Sequence, residues 1–181
     1  ENPALKLAFL ETQPFLKQRQ VCHMSTGVNN PRNSEGAMIR LANGDILHVY
    51  PRYYGNSSDD HATARLCSRR STDGGETWTR KDLVELENEG RLNVMSVSLL
   101  RLANGEIMMT YLVKESVVDC IPYVRFSSDE GETWSERVRC IDGVSYNVVN
   151  NDRVIQLKNG AILIPVAEHP LKNPGKSHDV D

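Results

Sequence analysis

The sequence predicts an all-β protein, a β-propeller of four-stranded antiparallel blades, because it carries two internal repeats. An octapeptide of the pattern Ser-x-Asp-x-Gly-x-Thr-Trp fills residues 71–78 and returns at residues 127–134. An Asn-Gly dipeptide between two apolar, β-rich runs occurs three times, with its glycine at Gly44, Gly105 and Gly160. Such self-similarity is the sequence signature of a repeat architecture, and no segment of useful length shows helical periodicity.

Each repeating unit begins with a predicted hairpin, at residues 37–50, 98–111 and 153–166. Asn-Gly between two apolar runs is the strongest short-range signal for a hairpin turn. A third strand is expected at residues 63–70 and again at residues 121–127, followed by the octapeptide and a fourth strand. Four short antiparallel strands in each unit are typical of a propeller blade.

The octapeptide is predicted to be a turn that satisfies its own polar groups. Asp73 and Asp129 are expected to accept backbone N–H bonds from two residues further on, and the Ser and Thr hydroxyls to close the turn. Gly75 and Gly131 supply positions that tolerate positive φ. The tryptophan then brings a large apolar side chain to the start of the next strand.

The repeat spacing places the blades at about residues 28–90, 91–145 and 146–181, and leaves residues 1–27 as an N-terminal extension or a closing-strand segment. Measured from Gly160, the third octapeptide would fall just past Asp181, so the third blade is expected to be incomplete. Propellers close with roughly 4–8 blades. We therefore expect a fragment of a longer protein, or an assembly of two or more copies. Open sheet edges favour self-association.

Composition excludes several classes of partner. A formal net charge of −3 gives no electrostatic footprint for nucleic acid. No run of 18 apolar residues exists, so no membrane partner is expected. The first 21 residues lack the layout of a signal peptide. The localisation stays open between a secreted or periplasmic protein whose signal was removed and a cytoplasmic one.

The cysteines and histidines predict neither a metal nor a cofactor. The four cysteines are too far apart for a Cys-x-x-Cys site, and the histidines show no ligand spacing. Buried free thiols in strands are expected, with disulfides as the alternative, at Cys22, Cys67, Cys120 and Cys140.

The segments that lead into the three first strands are unusually polar. In a propeller these strands line the central channel, so symmetry brings their first residues toward one axis. A mouth lined by arginines, amides and carboxylates suits a polyhydroxylated or anionic small substrate. The alternative is that these side chains satisfy the local backbone. The candidates are Arg32, Glu35, Asn93, Asp152 and Arg153.

A second candidate is the loop at residues 53–61. It places Asp59 and Asp60 directly before His61, close to Tyr53 and Tyr54. Acid–base catalysis at a glycosidic bond needs a carboxyl group with a tuned pKa, which a loop over the channel can supply. The alternative is a solvated turn.

The octapeptide resembles the Asp-box of sialidases and their relatives, which are six-bladed propellers, and the resemblance runs through about residues 28–168. Asp-boxes also occur in propellers that are not sialidases. In the family the acid/base aspartate lies eleven residues before the first box serine, and that count from Ser71 leads to Asp60. The resemblance implies that His61 tunes or positions Asp60. The run Leu-x-Asn-Gly-x-Ile-Leu-Ile-Pro-Val in the third unit is similar to the third sialidase blade.

One stretch departs from the family pattern. Sialidases begin the first blade with Arg-Ile-Pro, whose arginine holds the substrate carboxylate. Here residues 31–36 read Pro-Arg-Asn-Ser-Glu-Gly, so that Arg32 comes two residues early and Glu35 stands near the expected arginine. A carboxylate at that place repels an anionic sugar. The family's tyrosine nucleophile, its glutamate partner and two further arginines come from later blades.

Two functions from different classes follow. The first is a sialidase-like glycoside hydrolase that cleaves a terminal glycosidic bond. Asp60 and His61 would be catalytic, and the substrate would be bound by Arg32, Glu35, Tyr53, Asn93, Asp152 and Arg153. The second is a non-catalytic propeller that binds a glycan or a protein across the same mouth.

Overall fold

A computed structural model of the protein describes residues 21–169, and every regular element in that range is a β-strand. This part of the chain holds no helix, and so none long and apolar enough to cross a membrane. The strands are β1 Ala37–Arg40, β2 Ile46–Tyr53, β3 Ala64–Ser71, β4 Leu83–Leu86, β5 Asn93–Arg101, β6 Ile107–Lys114, β7 Cys120–Ser127, β8 Val138–Arg139, β9 Asn147–Val148, β10 Ile155–Gln156, β11 Ile162–Leu163 and β12 Ala167–Glu168.

The first eight strands form two antiparallel sheets of the same topology, ordered β1-β2-β3-β4 and β5-β6-β7-β8. Strands that are consecutive in sequence are neighbours in each sheet, as short hairpin connections require. The predicted all-β class and the four-stranded blades are therefore confirmed. The third unit contributes two short pairs, β10 with β11 and β12 with β9, which together make one interrupted hairpin.

The Asn-Gly turns build the three hairpins in the same way. Gly44, Gly105 and Gly160 have φ values of 93°, 94° and 89°, in the left-handed region that glycine adopts without strain. In the first hairpin the Gly44 N–H donates to the Leu41 carbonyl at 3.0 Å. The other two glycines donate to the residue three positions earlier in the same manner. Residues 1–20 of the predicted extension and the predicted third octapeptide lie outside the described residues.

Each Asp-box closes on itself, although not by the bonds that the sequence suggested. Asp73 accepts from the Thr77 N–H at 2.8 Å, four residues on rather than two. The N–H two residues on belongs to Gly75, and it donates to the Ser71 hydroxyl at 2.8 Å. Consecutive positive φ values at Gly74 and Gly75 turn the chain far enough to bring the later N–H to the carboxylate.

The second Asp-box repeats this arrangement. Asp129 accepts from the Thr133 N–H at 2.9 Å, and the Gly131 N–H donates to the Ser127 hydroxyl at 2.8 Å. The prediction that the aspartate binds an N–H two residues on is thus wrong in both copies. The predicted positive φ of the glycine and the role of the hydroxyls are confirmed.

The hydrophobic core lies between successive sheets. Side chains on one face of β2, including Leu47 and Val49, pack with Ile107, Met109 and Tyr111 on one face of β6. The opposite face of the second sheet packs against the third unit through Leu102, Met108, Val124 and Val154. Alternate residues of a strand point to opposite faces, so β6, buried along its whole length, contributes to both layers. This is the face-to-face stacking of neighbouring blades.

All four cysteines are free thiols in the structure. Cys67 and Cys120 are buried in strands as predicted, and burial raises the pKa of the Cys67 thiol to about 11 and that of the Cys120 thiol to about 12. The prediction is wrong for the other two: Cys22 is only partly buried and precedes β1, outside any strand, and Cys140 is exposed and follows the short strand β8.

Candidate functional site

A polar cluster lies where the chain enters the first blade. Arg32 forms an ion pair with Asp60, and its guanidinium carbon lies 4.8 Å from the centre of the Tyr53 ring. A second donated bond runs from Arg32 to the Ser58 carbonyl at 3.3 Å. Asp60 keeps 55% of its side chain exposed, so a ligand can reach its carboxyl group. We call Arg32, Tyr53 and Asp60 the Asp60 cluster.

Backbone pairing places Arg32 beside Tyr53. The Tyr53 N–H donates to the Arg32 carbonyl at 3.0 Å, and the Ser34 N–H donates to the Pro51 carbonyl at 3.0 Å. The segment before β1 therefore continues alongside the end of β2, with Asn33 bridged to Arg52. This extension of the sheet points the Arg32 side chain at the loop that follows β2.

Glu35 joins the cluster through a hydroxyl. The Ser34 hydroxyl accepts from the Arg32 guanidinium at 3.2 Å and donates to the Glu35 carboxylate. Arg32 thus contacts the Asp60 carboxylate directly and the Glu35 carboxylate through one intervening group. A single arginine balances two carboxylates here.

The loop between β2 and β3 has a closed neck and a tight turn at its tip. The Tyr54 N–H donates to the Thr63 carbonyl at 3.1 Å at the neck. At the tip, the Asp59 carboxylate accepts from the His61 N–H at 2.7 Å, which is the local bond expected of aspartate in a turn. Asp59 is used in shaping the loop, while its neighbour Asp60 directs its carboxylate at Arg32.

Two side chains of the second blade donate hydrogen bonds to the backbone of this loop. The Asn93 side-chain amide donates to the Asp60 carbonyl at 2.9 Å and to the Ala62 carbonyl at 2.8 Å. The Lys114 ammonium donates to the same Asp60 carbonyl at 3.0 Å and lies 5.7 Å from the centre of the Tyr146 ring. Asn93 is 0% exposed and Lys114 is 2% exposed. The sequence predicts that Asn93 binds substrate, but in the structure its side-chain amide N–H groups donate to the backbone of the loop.

Charges at the cluster shift several pKa values. The hydrogen bond from Arg32 lowers the pKa of Asp60 and outweighs the opposing effect of burial. The bond from Ser34 lowers the pKa of Glu35. Burial lowers the pKa of Lys114, while the nearby carboxylates oppose that shift. Asp60 and Glu35 are therefore carboxylates at neutral pH.

Asp152 lies at the junction of all three units rather than beside Asp60. Its carboxylate accepts from the backbone N–H groups of Met38 at 3.4 Å and Leu99 at 3.3 Å, in β1 and β5. Its own N–H donates to the Ser98 hydroxyl at 2.9 Å. Burial raises the pKa of Asp152. These bonds fasten the third unit to the first strands of both complete blades.

Arg153 belongs to the third unit and is exposed. It lines a cavity of about 520 Å³ together with Val148, Asn150, Pro165, Val166 and Ala167. The contacts described within residues 21–169 include none between Arg153 and Asp60. Over the same residues, no group of three or more His, Cys, Asp or Glu side chains is arranged to hold a metal ion.

Comparisons with known proteins agree with this architecture. The sequence model of the family described as "BNR repeat-like domain" matches residues 53–180, well over half of the chain. The chain belongs to the BNR repeat-like domain family. A sialidase of Paraclostridium sordellii is 28% identical over a region that covers 54% of this chain and 27% of that protein. The predicted resemblance to sialidase-like Asp-box proteins is confirmed.

Solved structures place this BNR repeat-like domain among the sialidase propellers by fold. A Hadza microbial sialidase, Hz136, superposes with a TM-score of 0.62 at 16% identity, over 78% of this chain and 33% of that one. A leech intramolecular trans-sialidase, complexed with 2,7-anhydro-Neu5Ac, gives 0.63 at 12% identity, over 83% of this chain and 42% of that one. The chain thus spans between about a quarter and two fifths of the length of these relatives.

The sequence predicts Arg32, Tyr53 and Asp60 as site residues, and the structure brings these three together, with Tyr53 fully buried. The sequence did not indicate Lys114 or Tyr146. Lys114 is the last residue of β6, as Tyr53 is the last residue of β2, so it occupies the equivalent position in the next blade. That equivalence was the available signal. A lysine at a strand end is ordinarily solvated. This one is buried, with its ammonium against the Asp60 loop of the first blade and the Tyr146 ring of the third unit.

Proposed function

We propose that this chain supplies the acid/base side of a sialidase-like glycoside hydrolase that removes a terminal sugar, with Asp60 as the acid/base residue. One observation carries the proposal: the carboxyl group of Asp60 is more than half exposed while its backbone carbonyl is held by two buried donors. A reactive group that is open to ligand on a fixed backbone is the arrangement that proton transfer requires.

Because of the ion pair with Arg32, a bound substrate must raise the pKa of Asp60 before Asp60 can act as an acid. An acid that protonates the leaving oxygen must itself be protonated, whereas Arg32 keeps Asp60 ionised in the free protein. A glycosidic oxygen or sugar hydroxyl that comes between Arg32 and Asp60 weakens the ion pair and covers the carboxyl group. Both changes raise the pKa of Asp60. After it has donated its proton to the leaving group, the carboxylate can take a proton from the attacking water.

The charges around Asp60 favour a neutral terminal sugar over sialic acid. Arg32 is already engaged by the Asp60 carboxylate, and Glu35 lies one hydroxyl away from it. A substrate carboxylate at Arg32 would be repelled by the carboxylates of Asp60 and Glu35, and the Lys114 ammonium is buried beneath the loop, where it cannot pair with a ligand. Hydroxyl groups of a neutral sugar can accept from Arg32 and donate to either carboxylate without that repulsion.

The test compares Asp60→Asn with Asp59→Asn in the complete protein, on aryl sialosides and a panel of neutral aryl glycosides. Removing a general acid/base lowers the rate by about 10²–10⁴-fold, so we expect a loss of that size for Asp60→Asn. Asp59→Asn keeps an oxygen that accepts from the His61 N–H and should retain most activity. Undiminished hydrolysis by Asp60→Asn would overturn the assignment.

A second function, a non-catalytic propeller that binds a glycan or a protein, is favoured by the same ion pair. A salt bridge that keeps both partners charged is common at ligand-binding surfaces as well as in active sites. This function predicts no hydrolysis of any aryl glycoside, together with glycan or protein binding that weakens in Arg32→Met, because the Arg32 side chain is 29% exposed. Detectable turnover that depends on Asp60 excludes it.

A further inference from the structure

We propose that Asn93 and Lys114 of the second blade are positioning residues, which fix the Asp60 loop of the first blade and set the electrostatic environment of its carboxyl group. The catalytic consequence rests on the proposed function of Asp60. The positioning itself rests only on contacts between the two blades.

The two residues form one platform. Asn93 begins β5, Lys114 ends β6, and they are direct partners in the register of that pair. Their side chains converge on one acceptor, the Asp60 carbonyl, at 2.9 Å and 3.0 Å. Asn93 adds a bond to the Ala62 carbonyl at 2.8 Å, so the loop is held at both sides of His61. Neighbouring strands of a sheet hold these donors more firmly than loop residues could.

The burial of Lys114 argues for a specific role. Lysine is almost never fully buried unless it has a partner, because an ammonium group loses its hydration there. Here the ammonium donates to the Asp60 carbonyl and lies against the Tyr146 ring, a favourable position for a cation. An aliphatic side chain would fill the same space without that desolvation cost. Compared with an aliphatic side chain, lysine adds a hydrogen-bond donor and a positive charge beside the Asp60 loop.

That charge acts on the Asp60 carboxylate. The charged and titratable groups that interact with Asp60 come from several elements and comprise Arg32, Glu35, Tyr53, His61, Lys114 and Tyr146. The neighbouring Asp59 interacts with Tyr53 and Lys114. Arg32 has the largest effect on the pKa of Asp60, and Lys114 lowers it further through the attraction of opposite charges. Neutralising Lys114 should therefore raise the pKa of Asp60 in every ligation state.

The first experiment measures the loop without using activity. Amide hydrogen exchange is followed in Lys114→Met and Asn93→Ala, with the exposed Lys158→Met as a matched control. The reporters are the N–H groups of Tyr54 and Ala62, which are bonded within the loop. Hydrogen bonds from charged or buried donors slow the local opening that exposes backbone N–H groups. Without them, we expect the Tyr54 and Ala62 amides to exchange about tenfold faster in both variants. Unchanged exchange at both amides in a folded variant overturns the proposal.

If Lys114→Met does not fold, Asn93→Ala still tests whether the second blade holds the Asp60 loop. It removes the two amide bonds to the loop but leaves the ammonium and its carbonyl acceptor in place. The loop should then exchange faster while the second blade keeps its protection. Loss of protection throughout β5 and β6 together with the loop contradicts a positioning role, because it shows general destabilisation instead.

The second experiment separates positioning from bulk stability. With any aryl glycoside that the protein hydrolyses, Lys114→Met should lower kcat by about tenfold while KM stays within about threefold. The limb of the pH–rate profile that reports Asp60 should move to higher pH, which lost packing alone does not cause. If that limb of the pH–rate profile does not move, the inference about Lys114 is wrong, while Asp60 can still be the acid/base residue. Full activity of Asp60→Asn has the opposite meaning: it removes the proposed function and leaves the exchange result standing.

Discussion

The two Asp-boxes share six of eight residues and the same hydrogen bonds at their Asp, Ser and Thr side chains, yet their contacts with the rest of the protein differ. In the first box, at residues 71–78, the tryptophan forms its hydrogen bond within the box. The Trp78 indole donates to the Gly75 carbonyl at 3.2 Å, and its ring lies 6.0 Å from that of His48. Both rings border a cavity of about 280 Å³ on the face of the first blade opposite to the one that packs on the second blade.

The second box, at residues 127–134, joins two blades. The Trp134 indole donates to the Glu85 carboxylate of β4 at 3.0 Å, and its ring packs against the core between the blades. Glu130 accepts from the Ala42 N–H of the first hairpin at 2.8 Å and forms an ion pair with Arg101 at 2.5 Å. The first box has glycine at the position of Glu130. An Asp-box is thus a self-sufficient turn whose outward residues form the joint with the preceding blade.

Truncating the two tryptophans is the strongest way to break this comparison. Large aromatic truncations in cores cost about 3–5 kcal/mol, and for the partly buried Trp134 we expect about 3 kcal/mol. Trp78→Ala, which loses contacts within one blade, should cost about 1 kcal/mol. The free energies of unfolding come from urea denaturation of the two variants. Equal losses would show that the second box is not a joint.

The box glycines give the next largest difference. Both Gly75 and Gly131 have positive φ, so alanine strains either turn by about 1 kcal/mol. A Cβ on Gly131 would also meet the buried Leu47 side chain at 3.0 Å, whereas on Gly75 the nearest atom, of Ile46, lies at 3.7 Å. We expect Gly131→Ala to cost about 2 kcal/mol and Gly75→Ala about 1 kcal/mol. Thermal melts of both variants at equal concentration measure the order, and a reversal contradicts the close approach of the blades.

The ion pair between Glu130 and Arg101 should contribute less. Both side chains are about one third exposed, and pairs of that kind contribute about 0.5–1 kcal/mol. A double-mutant cycle with Glu130→Gln and Arg101→Met isolates the coupling energy. The coupling should shrink as salt rises, because ions screen exposed pairs. Both side chains belong to the second blade, so zero coupling at low salt would show that Arg101 does not hold Glu130 in place for its bond from the Ala42 N–H.

The same contrast explains what the sequence could predict. The turns at Gly44 and Gly105 and both boxes are formed by residues close together in sequence. Their residue types therefore predict hairpins and blades without tertiary information. The spacing that points to Asp60 is local as well, because it is counted from the first box; the catalytic role of Asp60 stays a prediction. The contacts of Lys114 and Asn93 with the Asp60 loop join residues far apart in the chain, and no periodicity encodes them. Joints between blades, and the positioning of the site across them, had to come from the structure.

Acid titration should show the smallest difference between the two boxes, because the hydrogen bonds of their aspartates are the same. Hydrogen bonds from the Thr77 and Thr133 side chains lower the pKa values of Asp73 and Asp129 to about 2. Aspartate in an unfolded chain titrates near about 3.9. The folded values are the lower ones, so each carboxylate stabilises the fold fully above about pH 4, and that contribution disappears as pH falls toward 2.

Asp73→Asn and Asp129→Asn should therefore flatten the dependence of unfolding free energy on pH equally between pH 5 and 2, as measured by urea denaturation at each pH. The equality follows because the bonds responsible lie wholly inside each octapeptide. If Asp129→Asn flattened the curve more than Asp73→Asn, the acid dependence would belong to the joint between the blades, and the turn could no longer be regarded as self-sufficient.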